Sequence, residues 1–154
     1  MAVRRDRRRL LLGGGVLLAG LPAASAASSL PTARHLSQEV GLAAQRGQPL
    51  IVLVSLEGCV HCERVRRSNL LPRLALGQAM VQVNLRSNEV LQDGQGRSTT
   101  HDAMARQWKV RVTPTLLFLG PGARELAERM EGAYQPDFYE AYLEDRLSSA
   151  RQRL

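Results

Sequence analysis

Leu50-Ile51-Val52-Leu53-Val54-Ser55-Leu56-Glu57-Gly58-Cys59-Val60-His61-Cys62 is the stretch on which the reading of this chain turns. Leu50 to Ser55 is a short apolar run rich in β-branched residues, the pattern of a central strand buried on both faces. Cys59 and Cys62 follow it and are the only cysteines of the 154 residues. A disulfide across so short a loop removes little unfolded-state entropy, so its natural use is to be made and broken. The pair therefore points to redox chemistry. Two blander readings stand beside it: a static or inert core pair, and half of a zinc site. The chain has no second C-x-x-C, and His35, His61 and His101 are scattered, so no metal is expected.

Outward from this stretch the pattern alternates between helix and strand. Leu36, Val40 and Ala43 fall at helical spacing before Gly47 and the Gln48-Pro49 turn. Cys59 to about Leu71 reads as a helix stopped near Pro72, and Ala79 to Leu85 as a second strand. Arg86 to Ser98 holds Ser87, Asn88, Asp93, Gly94 and Gly96 with little apolar content and reads as an exposed loop. Thr99 with Asp102 resembles a capping box for a helix running to about Trp108, whose indole suits core or rim packing. Val112 to Leu119 contains Pro114 and then a buried-type strand; Gly120-Pro121-Gly122 turns the chain back through a strand from Leu126 to Met130. Pro136 and Asp137 suit a first helical turn, with Phe138, Tyr142 and Leu143 as the apolar stripe of a last helix. This order predicts an α/β sandwich around a mixed four-stranded sheet.

The N-terminus reads as targeting. Arg4, Arg5, Arg7, Arg8 and Arg9 precede an apolar stretch from Leu10 to Leu21 and the small residues Ala24-Ser25-Ala26. Residues 1–26 are therefore expected to be a cleaved export signal, with an uncleaved anchor as the alternative, and Arg7-Arg8-Arg9-Leu10-Leu11 also fits a twin-arginine signal beside ordinary Sec export. Removing 26 of 154 residues leaves 128, enough for one domain at 27–154, and lowers the net charge from +7 to +3. Ala27 to Pro31 reads as a flexible lead. The remaining 16 basic and 13 acidic residues are interspersed, with few aromatics, so nucleic-acid binding is not expected. A monomer is the default. Export to an oxidising compartment, the periplasm, makes the cysteine pair chemically meaningful.

With C-x-x-C at a strand-to-helix junction and Val112-Thr113-Pro114-Thr115 entering a later strand, the chain resembles the thioredoxin family. The resemblance covers nearly all of the expected mature chain, including Glu131-Gly132-Ala133, and implies the thioredoxin-like sandwich. Within the family it is similar to exported proteins found with bacterial sulfur-oxidation (Sox) systems. Asp93-Gly94, Arg111 to Leu116, and Gly132-Ala133-Tyr134 through Pro136 to Phe138 carry that similarity. It implies a partner that is a membrane thiol protein donating or accepting electrons, and substrates that are cysteine-containing exported proteins. Two departures stand out: Gly58 replaces the family's tryptophan, and Leu53 occupies the place of its buried aspartate.

The expected chemistry needs no cofactor. Cys59, at the start of its helix, meets unpaired backbone N–H groups that stabilise a thiolate, so it is the candidate nucleophile. Cys62, one turn inward, is the candidate resolving thiol. His61 inside the motif can further stabilise the Cys59 thiolate, as in the Cys-Pro-His-Cys centre of DsbA-type oxidases, or be a tolerated polar residue on an exposed turn. Glu57 is read as a loop charge, with proton acceptor as the alternative. The resemblance implies a cis Thr113–Pro114 bond packed on the pair, presenting the Thr113 main chain to an extended substrate. The expected activity is a protein-disulfide reductase type of thiol:disulfide oxidoreductase. Oxidase, isomerase and a non-catalytic binding module remain as alternatives.

Overall fold

The computed structural model describes residues 29–133 and 136–154. The export signal assigned to residues 1–26, and Tyr134 of the C-terminal motif, lie outside the described residues. The elements run α1 (Leu36–Gln45), β1 (Leu50–Ser55), α2 (Val60–Val65), a π-helical turn (Arg66–Leu70), α3 (Leu71–Ala75) and β2 (Met80–Asn84). They continue with β3 (Val90–Gln92), β4 (Ser98–Thr100), α4 (His101–Gln107), β5 (Thr115–Gly120), a 3-10 turn (Pro121–Ala123), β6 (Arg124–Glu125), β7 (Met130–Glu131) and α5 (Pro136–Arg151).

β1 is apolar from Leu50 to Val54 because the sheet is covered on both faces, and all six of its residues, Ser55 included, are buried. Side chains alternate across a strand, so its sequence divides between two cores. Leu50, Val52 and Val54 meet Leu36, Val40 and Ala43 of α1 and Met104 and Ala105 of α4. Ile51 and Leu53 meet Val65, Leu70 and the α5 residues Tyr139, Leu143, Leu147 and Ala150 on the other face. β2 lies parallel to β1, with Ile51 opposite Met80, and β5 lies antiparallel to it, with Leu50 opposite Leu119. The expected mixed sheet and its flanking helices are thus in place, in the order β2-β1-β5-β6. The fourth strand position is split, because β6 and β7 pair opposite ends of the same edge of β5. The expected strand over Leu126 to Met130 is therefore corrected: its middle leaves the ladder while Leu126 and Ala127 turn into the core. Gly120 admits that turn, since a Cβ there would stand 2.5 Å from the Leu126 side chain.

Four further expectations change. The helix after the cysteines runs past Pro72 to Ala75, because the π-helical turn receives the Leu71 N–H on the Arg66 carbonyl and absorbs the break a proline imposes. The 86–98 segment contains β3 and the turn of a β3–β4 hairpin whose second strand runs on to Thr100, with Leu91 and Asp93 buried. Asp93 tolerates burial because its carboxylate accepts from the Gln95 N–H, the Arg97 N–H and the Arg97 Nε at 2.8, 2.9 and 2.8 Å. The Arg97 backbone N–H foremost holds this carboxyl below the usual range. The cap of α4 is Thr100, not Thr99, with Oγ1 accepting from Ala103 N–H at 3.2 Å. On α5, Phe138 and Tyr142 are exposed while Tyr139, Leu143 and Leu147 form the buried stripe, one residue out of phase with the expected one at its start.

The expected lead before α1 is partly structured. Leu30 is buried, Pro31 C=O accepts from Gln82 N–H at 2.7 Å, and Ala33 N–H donates to Gln82 C=O at 2.9 Å, so this segment borders β2. His101, with no exposed surface, ties the same segment to the sheet. Its Nδ1 accepts from Asn84 N–H at 3.0 Å, and its Nε2 lies 3.0 Å from the Ala33 carbonyl. Those partners require a neutral ring with the proton on Nε2. His101→Ala strips both groups of this partner and is expected to lower the unfolding free energy by about 1–3 kcal/mol. Urea titration checks this as a reduced midpoint at unchanged slope; an unmoved midpoint would contradict the role.

Candidate active site

Chain direction at the C-terminal end of β1 builds the site. Gly58 takes φ +73°, a conformation that favours glycine, and turns the chain so that Cys59 caps α2 with extended dihedrals. Cys59 N–H donates to Leu56 C=O at 3.2 Å, and the Cys59 carbonyl accepts from Glu63 N–H at 3.1 Å. Cys59 Sγ accepts from Cys62 N–H at 3.1 Å, where a serine or aspartate oxygen usually caps a helix. The two cysteines form a disulfide, with Cα atoms 5.2 Å apart. They differ in access: Cys59 is half-buried, whereas Cys62 is 1 % exposed.

On the β5 side, the Thr113–Pro114 bond is cis and Pro114 is buried. Thr113 Oγ1 lies 3.7 Å from Cys59 Sγ in donor geometry, so this sulfur faces both a backbone and a hydroxyl donor. Donors of this kind favour a thiolate over a thiol in the reduced protein. The segment is anchored by Thr115 Oγ1 donating to Val112 C=O at 2.7 Å and by Gly132 N–H donating to Pro114 C=O at 2.8 Å. The structure thus brings Cys59, Cys62, Thr113 and Pro114 together. His61 is exposed on the first turn of α2, and its ring makes no hydrogen bond among the described residues.

The place of the missing aspartate is apolar: Leu53 is fully buried in the core shared with Val65 and α5. Charge enters instead on the β2 side of the pair. Arg66 donates from Nε to Gln82 Oε1 at 3.0 Å and from Nη2 to Ser55 Oγ at 3.1 Å, and it pairs with Glu63. Arg67 also pairs with Glu63. The hydrogen bond from Arg67 is the main cause holding the Glu63 carboxyl below its ordinary range, so Glu63 is ionised and a poor proton acceptor. Gln82 continues the network to Asn84 Oδ1 at 2.5 Å. Glu57 is exposed at the rim. None of Ser55, Arg66, Gln82 and Asn84 was among the sequence candidates. Their one signal was the polar alternation of Gln82 and Asn84 with Val81 and Val83 in a strand otherwise built for burial. Among the described residues, no group of three or more His, Cys, Asp or Glu side chains is placed to hold a metal ion.

A family model described as thioredoxin-like domain matches residues 36–147, which include every element from α1 to most of α5. The chain belongs to the thioredoxin-like family. No curated protein matches its sequence. Among solved structures, this thioredoxin-like chain is similar to a DsbH oxidoreductase at 19 % identity, over 92 % of this chain and 96 % of that one, with a TM-score of 0.53. It is also similar to a thioredoxin-fold protein from Helicobacter pylori at 17 % identity, over 70 % of this chain and 73 % of that one, with a TM-score of 0.52. At these identities the likeness concerns the fold. In the thioredoxin-like domain described here, Thr113→Val removes the hydroxyl donor from Cys59 Sγ while keeping the side-chain shape. The reduced variant is expected to have a less stabilised Cys59 thiolate, so that its alkylation sets in at higher pH. The pH dependence of alkylation by iodoacetamide checks it, and an unchanged profile would show that the hydroxyl does not act on the sulfur.

Proposed function

We propose that this chain is an exported thiol:disulfide oxidoreductase that exchanges the Cys59/Cys62 couple with cysteines of other exported proteins. The observation that carries the reading is the asymmetry of the pair: a half-buried Cys59 sulfur facing two donors, beside a Cys62 with almost no exposure. In the reductive direction the Cys59 thiolate attacks a substrate disulfide, forming a mixed disulfide and releasing one substrate thiolate. The Cys62 thiolate then attacks Cys59 Sγ, restores the intramolecular disulfide and releases the second thiolate. Two electrons pass from the dithiol to the substrate, whose two thiolates take up protons.

The surroundings support a protein substrate. Val60 is 71 % and Val112 is 48 % exposed, an apolar rim on either side of the sulfur. Thr113 precedes Thr115, the first residue of β5 in the ladder, so the sheet does not use its N–H and C=O. They are left for an extended segment of the partner, with Pro114 shaping the approach. The resemblance to Sox-associated proteins supports the reductase direction, with a membrane thiol protein as electron donor. The arginine-rich N-terminal residues support export to the periplasm.

His61 supports a second reading. An imidazole on the exposed first turn of α2 can stabilise the Cys59 thiolate and so favour the dithiol, which makes the disulfide a stronger oxidant. The reduction potential separates the two: the reductase predicts a value near thioredoxin's, roughly −270 mV, and the oxidase one near that of DsbA, roughly −120 mV. The exchange itself is tested by trapping. Cys62→Ser is expected to accumulate a mixed disulfide with a partner and Cys59→Ser to accumulate none, while the native protein catalyses dithiol-dependent insulin reduction. Absence of both trapped partner and insulin reduction would leave a non-catalytic binding module.

A further inference from the structure

The disulfide has two flanks, because β1 lies between β5 and β2. The β5 flank carries Thr113 and Pro114. On the β2 flank a cleft of about 1040 Å³ opens beside Cys59, between the ends of β1 and β2 and the first turns of α2. Its walls hold Arg64, Arg66, Arg67 and Arg86 against only Glu57 and Glu63. Glu63 is shared by Arg66 and Arg67, and it stays ionised because they hold its carboxyl low. Arg64 and Arg86 are exposed, and their side chains make no hydrogen bond or ion pair among the described residues. Arg66 is pinned at the floor by Gln82 and the buried Ser55. The cleft is therefore a built cationic cavity with two guanidinium groups open to a ligand.

We propose that this cleft is a subsite for carboxylate groups next to the reacting sulfur of the substrate, so that the protein selects acidic disulfides. The proposal deepens the exchange reading and rests on it. A carboxylate two or three bonds from the sulfur under attack enters the cleft and meets the guanidinium groups of Arg64 and Arg86, which bind carboxylates in planar, two-point geometry. The same positive field concentrates an anionic substrate at the mouth and opposes a cationic one. The electron balance is that of the exchange: the dithiol is oxidised to the Cys59–Cys62 disulfide, and the acidic disulfide is reduced to two thiols.

The test is single-turnover oxidation of the pre-reduced full chain by three small disulfides of similar size: dithiodipropionate (anionic), hydroxyethyl disulfide (neutral) and cystamine (cationic). The expected rates fall in that order, with an anionic-to-neutral ratio of about 5 or more at low salt. The ratio shrinks toward one as ionic strength rises. Arg64→Gln with Arg86→Asn is expected to bring the ratio close to one; Asn suits the positive φ of position 86. Arg64→Gln and Arg86→Asn are each expected to lower the ratio singly, whereas Arg124→Gln, matched in charge to each single variant and paired with the far end of β5, leaves it in place. Cystine peptides flanked by Glu or by Lys form the second arm. A preference confined to them assigns the carboxylate to a protein substrate, and one present in the small disulfides assigns it to a small molecule. Either supports the subsite. Equal rates across both arms, or a ratio lowered equally by Arg124→Gln, overturns it while the exchange reading stands. Failure of all the disulfides to oxidise the protein overturns the exchange reading and the subsite with it.

Discussion

Burial of β1 on both faces, in register with a parallel and an antiparallel neighbour, is the constraint from which the other features follow. A strand covered on both sides cannot afford polar side chains in its interior, and Leu50 to Val54 contains none. Its alternation assigns Leu50, Val52 and Val54 to the core under α1 and α4, and Ile51 and Leu53 to the core under α5. Where that cover ends, the first polar side chain is Ser55, and Arg66 satisfies it. Three residues later Gly58 turns the chain and Cys59 starts the helix. The redox pair thus follows a strand that is buried along its length and paired on both edges, which fixes the cysteines relative to both neighbouring strands.

That anchoring makes the two sulfurs unequal. The N-cap position leaves Cys59 open and offers it the Cys62 N–H, while the helix carries Cys62 under the surface. The electrostatic setting departs from the family pattern on the inner side. Position 53, where the family pattern has a carboxylate, holds the fully buried Leu53, which supplies neither a negative charge nor a proton store. The ionised groups lie instead toward β2, where four arginines outnumber two carboxylates around the cleft. One flank of the disulfide therefore carries the cis Thr113–Pro114 segment, the other an excess of positive charge.

Much of the fold could be read directly. The α1 stripe of Leu36, Val40 and Ala43, the buried run of β1 and the entry of β5 after Pro114 all depend on local periodicity and on proline chemistry, and the structure has them in those places. The misread regions were decided by contacts that hydrophobic periodicity does not register, two of them within a few residues and one across the fold. Asp93 reads as a solvated loop residue until the Arg97 N–H and guanidinium fold back on it. Pro72 reads as a helix stop until a π-helical turn absorbs it. Phe138 and Tyr142 read as core until α5 docks with Tyr139, Leu143 and Leu147 against the sheet.

The amino-acid sequence alone determined the central strand, the cysteine spacing and the strand-to-helix junction. Each is set by hydrophobic periodicity or by covalent proximity, which act within a few residues. It also supplied the thioredoxin-like resemblance and the candidate pair with its expected threonine–proline neighbour. Tertiary structure alone decided what stands around the sulfur. Thr113 reaches Cys59 across 54 positions of chain, and Gln82 meets Arg66 across 16. Side-chain hydrogen bonds and charge pairs depend on distance in space, and the sheet register brings β1, β2 and β5 side by side. The cationic cleft exists only once that register is formed, so no window of sequence displays it.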